Sequence, residues 1–180
     1  MGTSPEVLVA YATAAGSTAG IAERIAAVLT GAGSRTVCAP AGPELDPAPF
    51  DALVIGSAVH EMAWLPDALE LLRRAAGTGR PVWCFSVGGL AHPDGRRTRW
   101  MARGELDRIE RGFPPGLTPR DHSLFAGVVD VRRSPLWGRV FYRLTGSSSG
   151  DHRDWPAIEA WAGKVAASLQ AGTPDPDLPA

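Results

Sequence analysis

Uninterrupted apolar runs alternate along this chain with stretches whose apolar residues recur every three or four positions. Residues 6–11, with Val7-Leu8-Val9-Ala10-Tyr11, read as a first strand. From Ser17 to about Thr30 a helix is expected, because Ile21, Ile25, Val28 and Leu29 share one face and Gly31 and Gly33 end it. Arg35–Ala39 reads as a short second strand, and Ala52-Leu53-Val54-Ile55-Gly56-Ser57 as a third, apolar on both faces. Pro66 opens a helix with Leu69, Leu72 and Ala76 inward. Pro81–Val87 is the fourth strand, Arg97–Arg111 alternates charge in helical fashion, and Ser123–Val131 is the fifth strand. Trp155–Ala171 closes the chain as a helix with Ile158, Trp161, Val165 and Leu169 inward. Such strands, separated by helices, predict an α/β fold: a doubly wound five-stranded parallel sheet with helices on both faces, order 2-1-3-4-5. In that order ligands sit at the carboxyl ends of strands 1 and 3, where the chain turns off in opposite directions. One domain is expected over residues 1–172, followed by a disordered Pro/Asp tail over 173–180.

The first of those carboxyl ends carries the clearest chemistry. The strand runs into Thr13-Ala14-Ala15-Gly16-Ser17-Thr18, and a helix begins at once. Thr13, Ser17 and Thr18 offer hydroxyls, and Gly16 lets the backbone curl so that amides converge. The amino end of the helix adds a partial positive charge that favours an anion. The Gly-x-x-x-x-Gly-Lys spacing of nucleoside triphosphatases and the three spaced glycines of dinucleotide folds are both missing. A loop that grips one phosphate with hydroxyls and amides suits a mononucleotide such as FMN. The plainer alternative is an ordinary strand–helix turn with Ser17 or Thr18 as the N-cap.

Two further loops should gather at the same edge. After strand 3 comes Ser57-Ala58-Val59-His60-Glu61-Met62-Ala63-Trp64, and after strand 4 comes Ser86-Val87-Gly88-Gly89-Leu90-Ala91-His92. Their small residues let backbone approach a flat ring, and their amides could bond the pyrimidine edge of an isoalloxazine. Trp64 or Met62 could cover a ring face, or Trp64 could pack against the following helix. His60 and His92 read as solvated loop histidines, and the pair lacks the companions of a metal site. Neither Ser57 nor Ser86 sits in a nucleophile elbow.

Composition adds exclusions. A net charge of −1 argues against a nucleic-acid partner. Lys164 is the sole lysine among the basic residues, a bias that we read as coding rather than mechanism. Cys38 and Cys84 fall in apolar runs, too far apart for a Cys-x-x-Cys motif, and are expected to be buried, reduced thiols of a cytoplasmic protein. Neither a signal pattern nor an apolar run of membrane-spanning length is present in this sequence.

With the phosphate turn, Phe50-Asp51-Ala52-Leu53-Val54-Ile55-Gly56-Ser57 and the five-strand alternation together, the chain resembles the flavodoxin-like family over nearly its whole length. Phe125-Ala126-Gly127, Gly146-Ser147-Ser148-Ser149-Gly150-Asp151 and Asp154-Trp155 look most like the branch that includes menaquinone-dependent protoporphyrinogen oxidase. The resemblance implies FMN held by Thr13 to Thr18 and by the two ring loops. It also implies oxidation of protoporphyrinogen IX in haem biosynthesis and electron delivery to a quinone. Family loops carry further polar residues where this chain has Ala14 and Ala15, so amides would do more of the binding here. The basic insertion of the oxidase branch is reduced to Arg96-Arg97-Thr98-Arg99-Trp100.

Residues 134–145 place Leu136, Trp137, Val140, Phe141 and Leu144 on one helical face, with Arg132, Arg133, Arg139 and Arg143 flanking or opposing it. That stripe suits packing on the protein's own core, a homodimer contact, or a peripheral seat on anionic lipid where a quinone is found. The leading expectation is therefore an FMN-dependent oxidoreductase of the protoporphyrinogen-oxidase type. An electron-transfer carrier and a flavin-free scaffold that kept the fold are the alternatives.

Overall fold

The computed structural model describes residues 4–88, 103–104, 106–129 and 150–171. Strand β1 (Glu6–Ala12) leads into helix α1 (Ser17–Gly31), then β2 (Arg35–Pro40) and β3 (Ala52–His60). A two-residue strand β4 (Ala63–Trp64), helix α2 (Pro66–Ala76) and β5 (Val82–Gly88) follow. Beyond the helical residues 106–110 come β6 (His122–Ala126), β7 (Val128–Val129), β8 (Gly150–Asp151) and helix α3 (Trp155–Gln170).

The parallel sheet has the order β2-β1-β3-β5-β6, which is the predicted 2-1-3-4-5 once the short β4 is set aside. β4 pairs antiparallel with the end of β3, and β7 pairs antiparallel with β8 in a separate ribbon. Alternation along the strands divides the core into two layers. Val7, Val9, Val54, Phe85 and Phe125 face α1 and α3, while Leu8, Ala10, Leu53, Ile55 and Cys84 face α2, Ile109 and Phe113. Gly56 leaves room on the first face for the Phe85 ring, since a Cβ there would fall 2.1 Å from it.

Helix ends follow local chemistry. Gly33, at φ +98°, lets the chain leave α1 while the Ser34 amide donates to the Leu29 carbonyl at 3.1 Å. Asp154 caps α3 by accepting from the Ala157 amide at 3.0 Å.

Several expectations change. In α2 Leu72 is buried and Leu69 packs on the core as expected, but Ala68, Leu71 and Ala75 complete the inward face and Ala76 is exposed. Cys38 is exposed rather than buried, since β2 is an edge strand with one open face; Cys84 is buried. The third strand does not end at Ser57 but continues to His60 and folds back through β4. The fifth strand is split at Gly127, where β7 leaves the main sheet to pair with β8. Gly89, His92 and the stripe at 134–145 lie outside the described residues, as do residues 172–180.

Candidate functional site

The switch point falls between β1 and β3, and the turn from Thr13 to Thr18 stands at its carboxyl edge. Thr13 is half-buried, Ala14, Ala15 and Gly16 are exposed, and Ser17 is half-buried. Thr13 Oγ1 accepts from the Gly16 amide at 2.8 Å, which closes the turn on itself. Gly16, at φ +91°, is the N-cap of α1, a backbone state that an L side chain rarely adopts. Neither Ser17 nor Thr18 caps the helix, and its first turn carries no acidic residue. The helix thus opens with uncapped amides and no internal anion to neutralise its dipole. Thr18 is fully buried and its Oγ1 has no hydrogen-bond partner among the described residues. Buried hydroxyls are seldom left so, because a lost partner costs about 1–3 kcal/mol.

The carboxyl ends of β3 and β5 are built the opposite way. Ser57 is buried; its Oγ donates to the Ala58 carbonyl and accepts from the Leu65 amide, both at 2.9 Å. Ser86 is also buried, and its Oγ accepts from Trp64 Nε1 at 2.7 Å and meets His122 Nε2 at 2.9 Å. His122 Nδ1 in turn lies 2.8 Å from Glu110 Oε1. One orientation satisfies the whole chain: indole N–H to serine, serine O–H to imidazole, imidazole N–H to carboxylate. Burial pushes the His122 pKa down, and the neighbouring Glu110 and Asp121 carboxylates only partly offset that. Asp121 also accepts from Trp161 Nε1 at 2.7 Å, tying α3 to the start of β6.

Spacing on the sequence did not reveal the Ser86–His122–Glu110 row, because its members come from three separate elements. The sequence signal was only a polar residue at the start of an otherwise apolar strand. The row has the order of a hydrolytic triad, but Ser86 is sealed under Trp64 and donates and accepts within the fold.

Trp64 is 3% exposed and meets Phe113 edge-on with ring centroids 4.7 Å apart, so it takes the packed alternative and leaves no face for a ligand ring. Ala58 and Val59 are half-buried, Val59 against the core, and Val87 is buried. His60 and Glu61 are exposed at the hairpin tip, where Glu61 and Met62 hold φ of 52° and 64°. Positive φ at both central residues matches the right-handed twist of a two-residue hairpin. The side chains of Ser57, Ser86 and Trp64 are therefore committed inside the protein. Backbone at 58–62 and Gly88 remains available at the edge.

Gly127 draws the first and third regions together. A Cβ on it would fall 2.9 Å from Val87 Cγ1 and 3.2 Å from Ser17 Oγ. The β7–β8 ribbon then carries Asp151 and Arg153 toward α1.

The sequence matches the flavodoxin-domain family over residues 8–155. No curated protein sequence matches the chain. Among solved structures, a short-chain flavodoxin associated with a non-canonical PDU bacterial microcompartment superposes with a TM-score of 0.59 at 14% identity, over 94% of this chain and 99% of that one. The flavodoxin of Streptococcus pneumonia TIGR4 gives 0.54 at 12% identity, over 91% and 99%. The rubredoxin oxygen:oxidoreductase of Desulfovibrio gigas gives 0.52 at 15% identity; 93% of this chain is covered but only 37% of that protein, so the chain spans well under half its length. These similarities concern the fold. No helix among the described residues is long and apolar enough to cross a membrane.

Proposed function

The chain belongs to the flavodoxin-domain family, and on that premise we propose that it binds FMN at the turn between β1 and α1 and acts as an FMN-dependent oxidoreductase. Proteins of this family bind flavin, typically FMN. The observation that carries the reading is the Thr18 hydroxyl, buried and without a partner beside a helix start with no side-chain cap and no acidic residue. A flavin-free scaffold would gain nothing from such a cradle. Thr13 holds the turn closed, Gly16 opens the helix without a side-chain cap, and Ser17 and Thr18 would supply hydroxyl donors to the phosphate. Bound FMN supplies the redox chemistry through its ring. Backbone at 58–62 and at Gly88 would flank the flavin ring, on a frame held by the Trp64–Ser86–His122 bonds.

The finer reading is oxidation of a protoporphyrinogen-type substrate with a quinone as acceptor. Its support is the resemblance in Phe50 to Ser57, Phe125-Ala126-Gly127 and Asp154-Trp155, together with the apolar, arginine-flanked residues 134–145 as a quinone or bilayer contact. An electron carrier is the second reading. The match in length to flavodoxins favours it, whereas a net charge of −1 gives little pull on a basic reductase. The absorption spectrum of the purified chain after FMN loading tests the common premise, and a colourless protein rejects it. Anaerobic reduction followed by menadione, with protoporphyrinogen IX as donor, separates the two readings. Turnover supports the oxidase; reduction without turnover supports the carrier.

A further inference from the structure

We propose that Arg153 supplies the counter-charge for the phosphate of the mononucleotide and so makes this site prefer a phosphorylated flavin to its unphosphorylated form. The inference rests on the FMN reading above and adds a residue that the turn itself does not contain.

The turn from Thr13 to Thr18 holds no cation, although a phosphate monoester brings close to two negative charges and the helix dipole offers only about half a positive one. A guanidinium whose charge is shared with Asp151 nevertheless lies beside it. Nη1 of Arg153 lies 2.7 Å from where a Cβ of Gly20 would stand. A helical Cβ points toward the amino end, so that position overlies the preceding turn, the one that begins at Ser17. The side chain is only 20% exposed and is held by two neighbours. Nε donates to Asp151 Oδ1 at 2.8 Å, Nη2 donates to Asp151 Oδ2 at 2.6 Å, and the guanidinium lies over the Trp155 ring at 4.5 Å. Nη1 has no hydrogen-bond partner among the described residues, so the fork's remaining donors face the start of α1. Arg24 also approaches Trp155, but it pairs with Glu159 at 3.1 Å and is half exposed. The buried Thr18 hydroxyl, without a partner among the described residues, lies in the same first turn and offers a donor to a ligand oxygen. Ser17 connects the two, since Gly127 at the root of the β7–β8 ribbon lies against its hydroxyl.

The test compares FMN, riboflavin and inorganic phosphate on the full chain, using flavin fluorescence for affinity and thermal melting for phosphate. Wild type should prefer FMN. Arg153→Gln should lose FMN affinity by about 10- to 100-fold with riboflavin affinity unchanged. Arg153→Lys should recover most of the preference, and phosphate should raise the melting temperature of wild type but not of Arg153→Gln. An unchanged FMN-to-riboflavin ratio in Arg153→Gln overturns the proposal. Equal loss of both flavins with phosphate stabilisation retained also overturns it, because that is a folding role. Arg153-dependent stabilisation by phosphate without any flavin binding leaves the counter-charge standing and rejects the FMN reading. A wild type indifferent to FMN and phosphate alike rejects both.

Discussion

The turn after β1 and the buried row beneath the carboxyl ends of β3 and β5 both hold a buried hydroxyl, Thr18 in one and Ser86 in the other, yet they treat it oppositely. At the turn, Thr18 Oγ1 has no partner and α1 begins uncapped. Along the row, Trp64, Ser86, His122 and Glu110 exchange every polar hydrogen among themselves. Thr36 Oγ1 and Arg74 Nε likewise have no hydrogen-bond partner among the described residues, so it is the helix start beside Thr18, not openness alone, that singles out the turn. The closed row holds the frame next to it. Residue type alone does not separate the two, since a serine stands in both, Ser17 at the turn and Ser86 in the row.

The most damaging change on the open side is Gly16→Val. A β-branched residue at φ +91° is strained by about 1–3 kcal/mol, and relief of that strain would turn the amides away. Flavin titration should show FMN binding lost entirely, and wild-type affinity in this variant would move the site elsewhere. On the closed side, Ser86→Ala leaves Trp64 Nε1 and His122 Nε2 without a partner. Thermal or denaturant unfolding should show a loss of about 1–3 kcal/mol. A stability within 0.5 kcal/mol of wild type, an estimate for an ordinary surface change, would mean that water replaces the serine.

Thr18→Val separates the two regions most sharply. Removing a buried hydroxyl that has no partner should raise the stability of the apoprotein by about 1 kcal/mol. The same change should weaken FMN binding by about 5- to 10-fold. If stability and affinity both fall, the hydroxyl has a partner within the fold and the contrast fails.

The smallest effect is in pH. Burial lowers the His122 pKa, so the unfolded chain takes the proton more readily than the native one. The contribution of neutral His122 should be complete above the ordinary histidine value, about 6.5, and be lost as pH falls through its lowered native value. Denaturant titrations between pH 7.5 and 5, a range chosen to bracket about 6.5, should show this slope in wild type and a shallower one in His122→Gln. Equal slopes would exclude His122 as its source. Asp151, held down to about 2 by Arg153, should stay charged throughout.

Sheet order, both core layers and the turn with its left-handed glycine were legible in the sequence. Uninterrupted apolar strands can only be buried on both faces, and Gly16 between a strand and a helix has few backbone alternatives. On α2 only Ala76 was misjudged, since Leu72 is buried and Leu69 packs on the core, and the helix phase set by the sheet beneath turns Ala75 inward instead. Cys38 looked like core because β2 is apolar, but edge position is a property of the whole sheet. Ser57, Ser86 and Trp64 were read as ring contacts by their place after strands. Which way they turn depends on Leu65, His122 and Phe113, which reach them only after folding. Local pattern thus determined the elements, their alternation and the anion-ready turn, since these depend on neighbours along the chain. Tertiary structure alone decided which hydroxyls stay open, which close on one another, and that Arg153 comes to rest over the first turn of α1, because each of those contacts joins segments distant in sequence.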